Sequence, residues 1–151
     1  MHWKVKKQYD HAKWNRDDIC KFNNLRISFN CFYNIEIRRW TDREKIDKIK
    51  NDTIIKEIFL SLENESKNRF FKFINYRTNK WIKNLNNNNI VSYLCLDCFW
   101  EFLEIIYTIR NNQFHWWKDW ESEDDIFLLI ETNLIFEIFL EKLYKKYNII
   151  N

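Results

Sequence analysis

The chain has 151 residues, which suits a single domain and is enough to bury a substantial core. It contains no glycine and no proline, so few hairpins or glycine-dependent loops can be built from it. The periodic stretches are rich in Leu, Ile, Phe, Glu, Lys and Arg. They predict an all-α fold, a single-domain helical bundle of about five to seven helices.

The apolar periodicity predicts helices over residues 2–13, 18–39, 42–50, 53–62, 66–85, 91–111 and 123–147. The first of them is interpreted as an N-terminal extension, within residues 1–17, of one domain that covers residues 1–151. This segment lacks the apolar core of a signal peptide, so a cytoplasmic protein is expected. Thr41-Asp42-Arg43-Glu44 fits a capping box, in which the threonine oxygen and the glutamate side chain accept hydrogen bonds from exposed backbone N–H groups. The capping box supports a helix boundary at Trp40.

Four cysteines raise the question of a metal site, because Cys95 and Cys98 have C-x2-C spacing and Cys20 and Cys31 would complete a set of four thiolates. Cys20 and Cys31 are three helical turns apart, about 16 Å along a straight helix, which is too far to share one ion. We therefore expect all four to be small, buried apolar residues in a reducing compartment, and we expect neither a metal nor a cofactor.

Residues 110–115, with the sequence Arg-Asn-Asn-Gln-Phe-His, follow an apolar helix-like stretch at positions 99–109. They are the one place where the chain gathers groups suited to phosphodiester chemistry. Arg110 can hold a phosphate through its fixed fork of donors, and His115 can take or give a proton near neutral pH.

The spacing of Arg110 and His115 restricts how they can act together. On a continuous helix, five positions rotate by about 500°, which leaves the two side chains roughly 140° apart. Both can face one phosphate if the helix ends near Asn112 or if the pair works across a two-fold axis. Asparagine tolerates left-handed backbone geometry and commonly ends helices, which favours the first option.

The last predicted helix is apolar around most of its circumference between residues 126 and 143 but carries two glutamates, Glu131 and Glu137. A membrane span needs about 20 residues nearly free of charge, so we interpret this stretch as a central or dimer-buried helix. Aromatic residues at helical spacing are expected to fill the core. They are Phe70-Phe71-Phe73, Trp100-Phe102 and Phe136-Phe139.

Arg-Asn-Asn-x-Phe-His after an apolar helix, followed by Trp-Lys and a long apolar helix, resembles the HEPN superfamily (higher eukaryotes and prokaryotes nucleotide-binding domain) and its prokaryotic ribonuclease-type members. Phe29-Asn30-Cys31-Phe32-Tyr33 is similar to a Phe-Asn-x-x-Tyr segment in the first core helix of some prokaryotic members. The resemblance covers roughly residues 19–147 and implies a HEPN-like helical core.

The resemblance implies that Arg110, Asn111 and His115 are catalytic, with Asn111 orienting one of the other two by a hydrogen bond. It implies a metal-independent endoribonuclease in which the 2′-hydroxyl attacks the adjacent phosphate and leaves a cyclic phosphate and a free 5′-hydroxyl. His115 would then be the general base or acid, and Arg110 would stabilise the charged phosphorane. The substrate-binding residues are assigned as Asn112, Trp117 and Lys118.

The resemblance further implies a homodimer that binds RNA, acts as a toxin or a phage-defence effector, and is paired with a nucleotidyltransferase-type antitoxin. No membrane partner is expected. The chain departs from close relatives by carrying Trp116 and Trp117 directly after the histidine, where glycine is frequent. A bulky ring there narrows the site or offers a stacking surface for a base.

The net charge is only +3 at pH 7, but residues 1–90 hold 20 Lys and Arg against 11 Asp and Glu, whereas residues 91–151 hold 5 against 11. Attraction of RNA to His115 must therefore come from the basic first half or from a partner subunit. The candidate cations, which are otherwise solvated helix faces, are Arg38, Arg39, Arg43, Lys45, Lys48 and Lys118.

Two alternatives to the nuclease remain open at the level of sequence. In the first, a non-catalytic helical module uses the same surface to bind RNA, a nucleotide or a protein. In the second, Arg110 caps a helix end and His115 is a turn residue with a purely structural role.

Overall fold

The structure, a computed structural model, describes residues 2–34, 41–78, 82–84, 89–91, 98–115 and 123–151. Within these ranges it is an all-α bundle of seven helices with one short two-stranded hairpin. The elements are α1 His2–Trp14, α2 Asp18–Asn34, α3 Asp42–Lys50, α4 Thr53–Leu60, α5 Asn64–Thr78, β1 Ile82–Asn84, β2 Asn89–Val91, α6 Cys98–His115 and α7 Glu123–Lys146.

Interlocking phenylalanine rings fill the centre of the bundle. Phe102 of α6 meets Phe136 and Phe139 of α7 edge to face, with ring centroids 5.8 and 5.6 Å apart. Phe29 of α2 makes the same kind of contact with both α7 rings, at 5.6 and 5.7 Å. Edge-to-face packing adds to the burial of large apolar area, so α2, α6 and α7 hold each other in one fixed arrangement.

Two buried polar contacts fix the position of α2. The Ser28 hydroxyl donates to the carbonyl oxygen of Val5 in α1 at 2.8 Å and lies 2.8 Å from the Tyr144 hydroxyl of α7. The Asn133 side-chain amide of α7 donates to the backbone carbonyl oxygen of Asp18 at 2.9 Å. Because buried polar groups are costly without partners, these bonds specify the register of α2 against its neighbours.

The predicted helices agree closely with the structure where start signals are strong. Helix α3 has the predicted bounds, and its capping box is confirmed: the Thr41 side chain accepts from the Glu44 N–H and the Glu44 side chain accepts from the Thr41 N–H. Helices α1, α4 and α7 end within two residues of their predicted limits. The predicted extension of α2 over residues 35–39 lies outside the described residues.

The prediction was wrong on either side of the asparagine-rich segment. The end of the predicted helix 66–85 and the first residue of the predicted helix 91–111 instead belong to an antiparallel hairpin, in which Ile82 pairs with Val91 and Asn84 with Asn89. Asparagine is a poor helix former, and β-branched residues fit a pleated strand, which explains why neither helix continues.

Helix α6 also differs from its prediction, because it begins at Cys98 and continues to His115. The expected helix end near Asn112 is therefore wrong. Asn111 is buried, with 1% of its surface exposed. We attribute the continuation to this packing, which outweighs the local preference of asparagine for helix ends.

The four cysteines were expected to be buried. Cys20 is exposed and Cys31 half-buried, so the expected burial of all four cysteines is wrong for Cys20; Cys95 and the Cys98 side chain lie outside the described residues. Cys20 occupies the first turn of α2, where its N–H donates to the Asp17 carboxylate at 2.7 Å. In the part of the chain that is described, no group of three His, Cys, Asp or Glu residues is arranged to hold a metal ion.

The expected aromatic core is confirmed for Phe70, Phe71, Phe102, Phe136 and Phe139, which are all buried. Phe73 lies outside the residues whose side chains are described. Trp100 was wrongly assigned to the core and is 43% exposed.

The expected central position of α7 is confirmed by a row of buried side chains that ends at Leu143 and Tyr144. Among the described helices, none has the length and apolar character needed to cross a membrane.

Candidate functional site

A cleft opens where α2, α3 and α6 meet. About 30 Å³ of it is open to water, room for about two water molecules. Three of its lining residues are cations, and no Asp or Glu is among the described residues that line it. The polar and aromatic-hydroxyl residues that line it are Arg26, Asn30, Tyr33, Lys45, Tyr107 and Arg110.

Helix α2 contributes Arg26, Asn30 and Tyr33. Their spacing of four and then three residues places them on one face of the helix. Phe29 also reaches the cleft, and its ring continues into the core. The Phe-Asn-x-x-Tyr segment of the sequence thus anchors one wall and supplies two of its polar groups.

Helix α3 forms the opposite wall with Lys45 above Ile46 and Ile49. Ile49 is buried and Lys45 half-buried. The Lys45 side chain makes no ion pair with any residue that the structure describes. Its charge is therefore not neutralised by a described carboxylate.

An ion cluster fixes α3 against α6. The Arg43 guanidinium holds both oxygens of Glu104, at 3.0 and 2.8 Å, and the Lys50 ammonium also bonds to Glu104. Burial raises the pKa of the Glu104 carboxyl, but the hydrogen bonds from Arg43 and Lys50 outweigh burial and hold that pKa below its usual value. The Trp100 indole N–H donates to the Lys50 carbonyl oxygen at 2.9 Å, which explains the position of this exposed ring.

Arg110 enters the cleft from α6, one helical turn after Tyr107. Its Nη1 donates a hydrogen bond of 3.0 Å to the Oδ1 of Asn111. Asn111 is buried and so provides a fixed acceptor for the guanidinium. The bond orients Arg110, and the catalytic role of Asn111 stays a prediction.

His115 is the last residue of α6, and its side chain lies outside the described residues. Because the helix is unbroken from Arg110 to His115, the two positions are about 7.5 Å apart along the axis and roughly 140° apart around it. A single copy of α6 therefore does not turn both positions towards one phosphate. The other predicted substrate contacts, the Asn112 side chain, Trp117 and Lys118, also lie outside the described residues.

Tyr33 carries an unused donor in the wall of the cleft. Its hydroxyl is buried and has no hydrogen-bond partner among the described residues. Burial raises the pKa of Tyr33 well above its ordinary value, and the nearby Tyr144 and Asp52 raise it further. The phenol therefore keeps its proton at neutral pH and remains a hydrogen-bond donor there.

The six candidate cations differ in where the structure places them. Lys45 lines the cleft, Arg43 forms an ion pair with Glu104, and Lys48 is exposed outside the cleft. Arg38, Arg39 and Lys118 lie outside the described residues.

Arg26 was not predicted from the sequence, and it is the second cation from the basic first half to reach the cleft. Its spacing to Asn30 and Tyr33 was the signal that pointed to it, because the three share one face of α2.

No protein-family model matches the chain, and no curated protein and no solved structure matches it.

Proposed function

We propose that the protein is a metal-independent endoribonuclease of the HEPN type, with Arg110 and His115 as its catalytic pair. The observation that carries the proposal is the convergence of two separate sequence signals. One signal is the α2 segment with Phe29, Asn30 and Tyr33, and the other is Arg110 of α6. Both line the same cleft, although about 80 residues separate them in the chain.

In the proposed reaction the 2′-oxygen of a ribose attacks the adjacent phosphorus, and the bond from phosphorus to the 5′-oxygen of the next nucleotide breaks. His115 takes the proton of the attacking hydroxyl or gives a proton to the leaving oxygen. Arg110, held by Asn111, stabilises the charge that builds up on the phosphorane. The products are a 2′,3′-cyclic phosphate and a free 5′-hydroxyl, without any metal ion.

The proposal includes a homodimer, because α6 continues to His115 and separates the two catalytic positions within one chain. A two-fold axis would bring Arg110 of one protomer towards the histidine of its partner. Helix α7 also presents three exposed apolar side chains at helical spacing, Phe127, Leu134 and Ile138, on a surface that a second copy would cover. A role in the cytoplasm as a toxin or phage-defence effector, paired with a nucleotidyltransferase-type antitoxin, belongs to the same proposal and is supported by the resemblance alone.

A second candidate function is a helical module that binds RNA, a nucleotide or a protein without cutting it. The unbroken α6 favours this candidate, since it keeps Arg110 and His115 on different sides of one helix. The excess of Asp and Glu over Lys and Arg in residues 91–151 favours it as well, because that field repels phosphate near His115.

The test is cleavage of a mixed RNA pool in EDTA by the wild type and by Arg110→Ala and His115→Ala. Arg69→Ala is the matched control, because Arg69 is an exposed arginine that pairs with Glu131 and does not line the cleft. We expect each catalytic substitution to lower the rate at least a hundredfold, whereas the control keeps it. Wild-type products should carry cyclic phosphates.

Folded wild type that leaves the RNA intact would contradict the nuclease and support the binding module. Cleavage that survives in His115→Ala would contradict the assigned pair.

A further inference from the structure

We infer that the cleft between α2, α3 and α6 is a binding site for one phosphate group, and that Lys45 and Arg26 hold this group together with Arg110. Neither Lys45 nor Arg26 belongs to the motif that suggests the nuclease. The inference rests on the proposed function for the choice of RNA as the source of the phosphate. The site itself is argued from charge, size and an unused donor, and it does not require cleavage.

The charge of the cleft selects an anion. Arg26, Lys45 and Arg110 come from three different helices and line one small opening. No Asp or Glu is among the described residues that line this opening, and Lys45 makes no ion pair with any described residue. The opening therefore favours an anion over a cation.

The size of the cleft selects a small anion. About 30 Å³ of the cleft is open to water, which suits a group of a few heavy atoms better than a nucleobase. A tetrahedral phosphate with three or four oxygens is a group of this size. The sugar and base attached to it would remain outside the opening.

Tyr33 provides a second observation that points to a ligand. Tyr33 lines the same wall, and its buried hydroxyl has no partner among the described residues. An unsatisfied buried hydroxyl costs about 1–3 kcal/mol, and a ligand oxygen that accepted its hydrogen bond would remove this cost. A protonated phenol in a residue of this wall is a donor that suits a phosphate oxygen.

The floor of the cleft strengthens these interactions. Phe29, Ile49 and Ile106 are buried apolar residues beneath the polar rim. Charges that meet above an apolar floor are screened less by water than charges on an open surface, so each cation contributes more to binding.

The experiment measures binding of a fluorescent 2′-O-methyl RNA oligonucleotide in EDTA by anisotropy at several salt concentrations. This RNA lacks the attacking hydroxyl and cannot be cut by the proposed reaction. Lys45→Ala and Arg26→Ala are compared with wild type, and Lys48→Ala is the matched control because Lys48 is exposed on the same helix outside the cleft. Lys45→Arg tests whether the cation alone is sufficient.

We expect Lys45→Ala and Arg26→Ala each to weaken binding about tenfold and to reduce the slope of log K against log salt by about 0.7. Lys48→Ala and Lys45→Arg should bind as the wild type does. Circular dichroism and thermal unfolding establish that each variant is folded. Lys45→Ala binding with wild-type affinity and slope, or an equal loss in Lys48→Ala, would overturn the inference.

Competition by inorganic phosphate and by AMP distinguishes the sources of the phosphate. Stronger competition by AMP than by an unlabelled oligonucleotide supports the cleft with a free nucleotide as its ligand, and the reverse order supports it with RNA. Wild-type protein that binds neither the RNA oligonucleotide nor inorganic phosphate nor AMP overturns the inference. Wild type that binds through Lys45 but does not cleave unmodified RNA contradicts the proposed function and leaves the phosphate site standing.

Discussion

Tyr33 and Tyr144 are two buried tyrosines of the same bundle with opposite hydrogen-bond situations. The Tyr144 hydroxyl lies 2.8 Å from the Ser28 hydroxyl, whereas the Tyr33 hydroxyl has no partner among the described residues. The first is a structural group, and we interpret the second as a group kept for a ligand.

Tyr33→Phe should therefore raise the free energy of unfolding by about 1 kcal/mol, because it removes a buried hydroxyl that lacks a partner. Tyr144→Phe should lower it by about 1 kcal/mol, because it breaks the bond with Ser28. Urea unfolding of both variants measures the two changes. Equal destabilisation by the two substitutions would show that Tyr33 has a structural partner.

The residues of the site differ in how far sequence reasoning could reach them. Arg110 and Asn111 belong to a contiguous motif, and Lys45 was among the cations expected to attract RNA. Arg26 lies on a different helix from the motif, and its approach to Arg110 depends on how α2 packs against α6. Such a contact is a property of tertiary packing, and no local pattern encodes it.

Local sequence patterns predicted where the helices lie but not the structure of the segments that connect them. The capping box fixed the start of α3 because the bonds of Thr41 and Glu44 are contained within four residues. The hairpin around Asn84 and Asn89 was missed because β pairing joins segments that each carry a weak signal. The end of α6 was missed because packing around Asn111, which the sequence does not display, outweighs its local preference.

The end of α7 shows how a chain without glycine ends a helix. Asn148 has a positive φ of 55°, and the N–H of Ile149 donates to the carbonyl oxygen of Tyr144 at 2.8 Å. This is the Schellman arrangement, in which the left-handed residue is usually glycine and asparagine is the next choice. Ile149 is buried, so the arrangement also returns the chain to the core.

The ion pairs of Glu104 hold α3 against α6, and their contribution to stability changes with pH. The pKa of Glu104 is lower in the folded chain than in the unfolded one, so its contribution is complete above the unfolded pKa and is lost as the pH falls through the folded pKa. Glu104→Gln should cost about 2 kcal/mol at pH 7 and should flatten the decline in stability between about pH 5 and pH 3.

Thermal unfolding of Glu104→Gln between pH 3 and pH 7 measures this effect. Glu141→Gln is the control, because Glu141 forms an exposed pair with Lys145 that contributes little. Parallel pH curves for the wild type and Glu104→Gln would contradict the assigned role of the ion cluster.

The continuous helix α6 bears on how two protomers would assemble into an active dimer. If Arg110 of one protomer works with the histidine of its partner, a mixed dimer of Arg110→Ala and His115→Ala contains one intact site and one doubly altered site. Two inactive proteins should then complement each other.

Mixing equal amounts of the two variants and allowing subunit exchange should restore about a quarter of the wild-type rate, because half of the dimers are mixed and half of their sites are intact. The rate of RNA cleavage against mixing time measures this. The control is a variant that carries both Arg110→Ala and His115→Ala in one chain. Mixed with either single variant, it should restore no activity. A mixture that stays inactive after exchange would place both residues of a site in one protomer.

The ion cluster that holds α3 has a consequence for hydrogen exchange. Helix α3 has nine residues and buries the side chains of Ile49 and Lys50, whereas α7 buries one face from Leu128 to Tyr144. Its amide protons should therefore exchange through local opening at a lower free energy than those of α2 and α7. The wall that carries Lys45 is thus the part of the cleft that opens without global unfolding. A bound phosphate, which contacts that wall only when it is closed, should slow exchange in α3 before it slows exchange anywhere else.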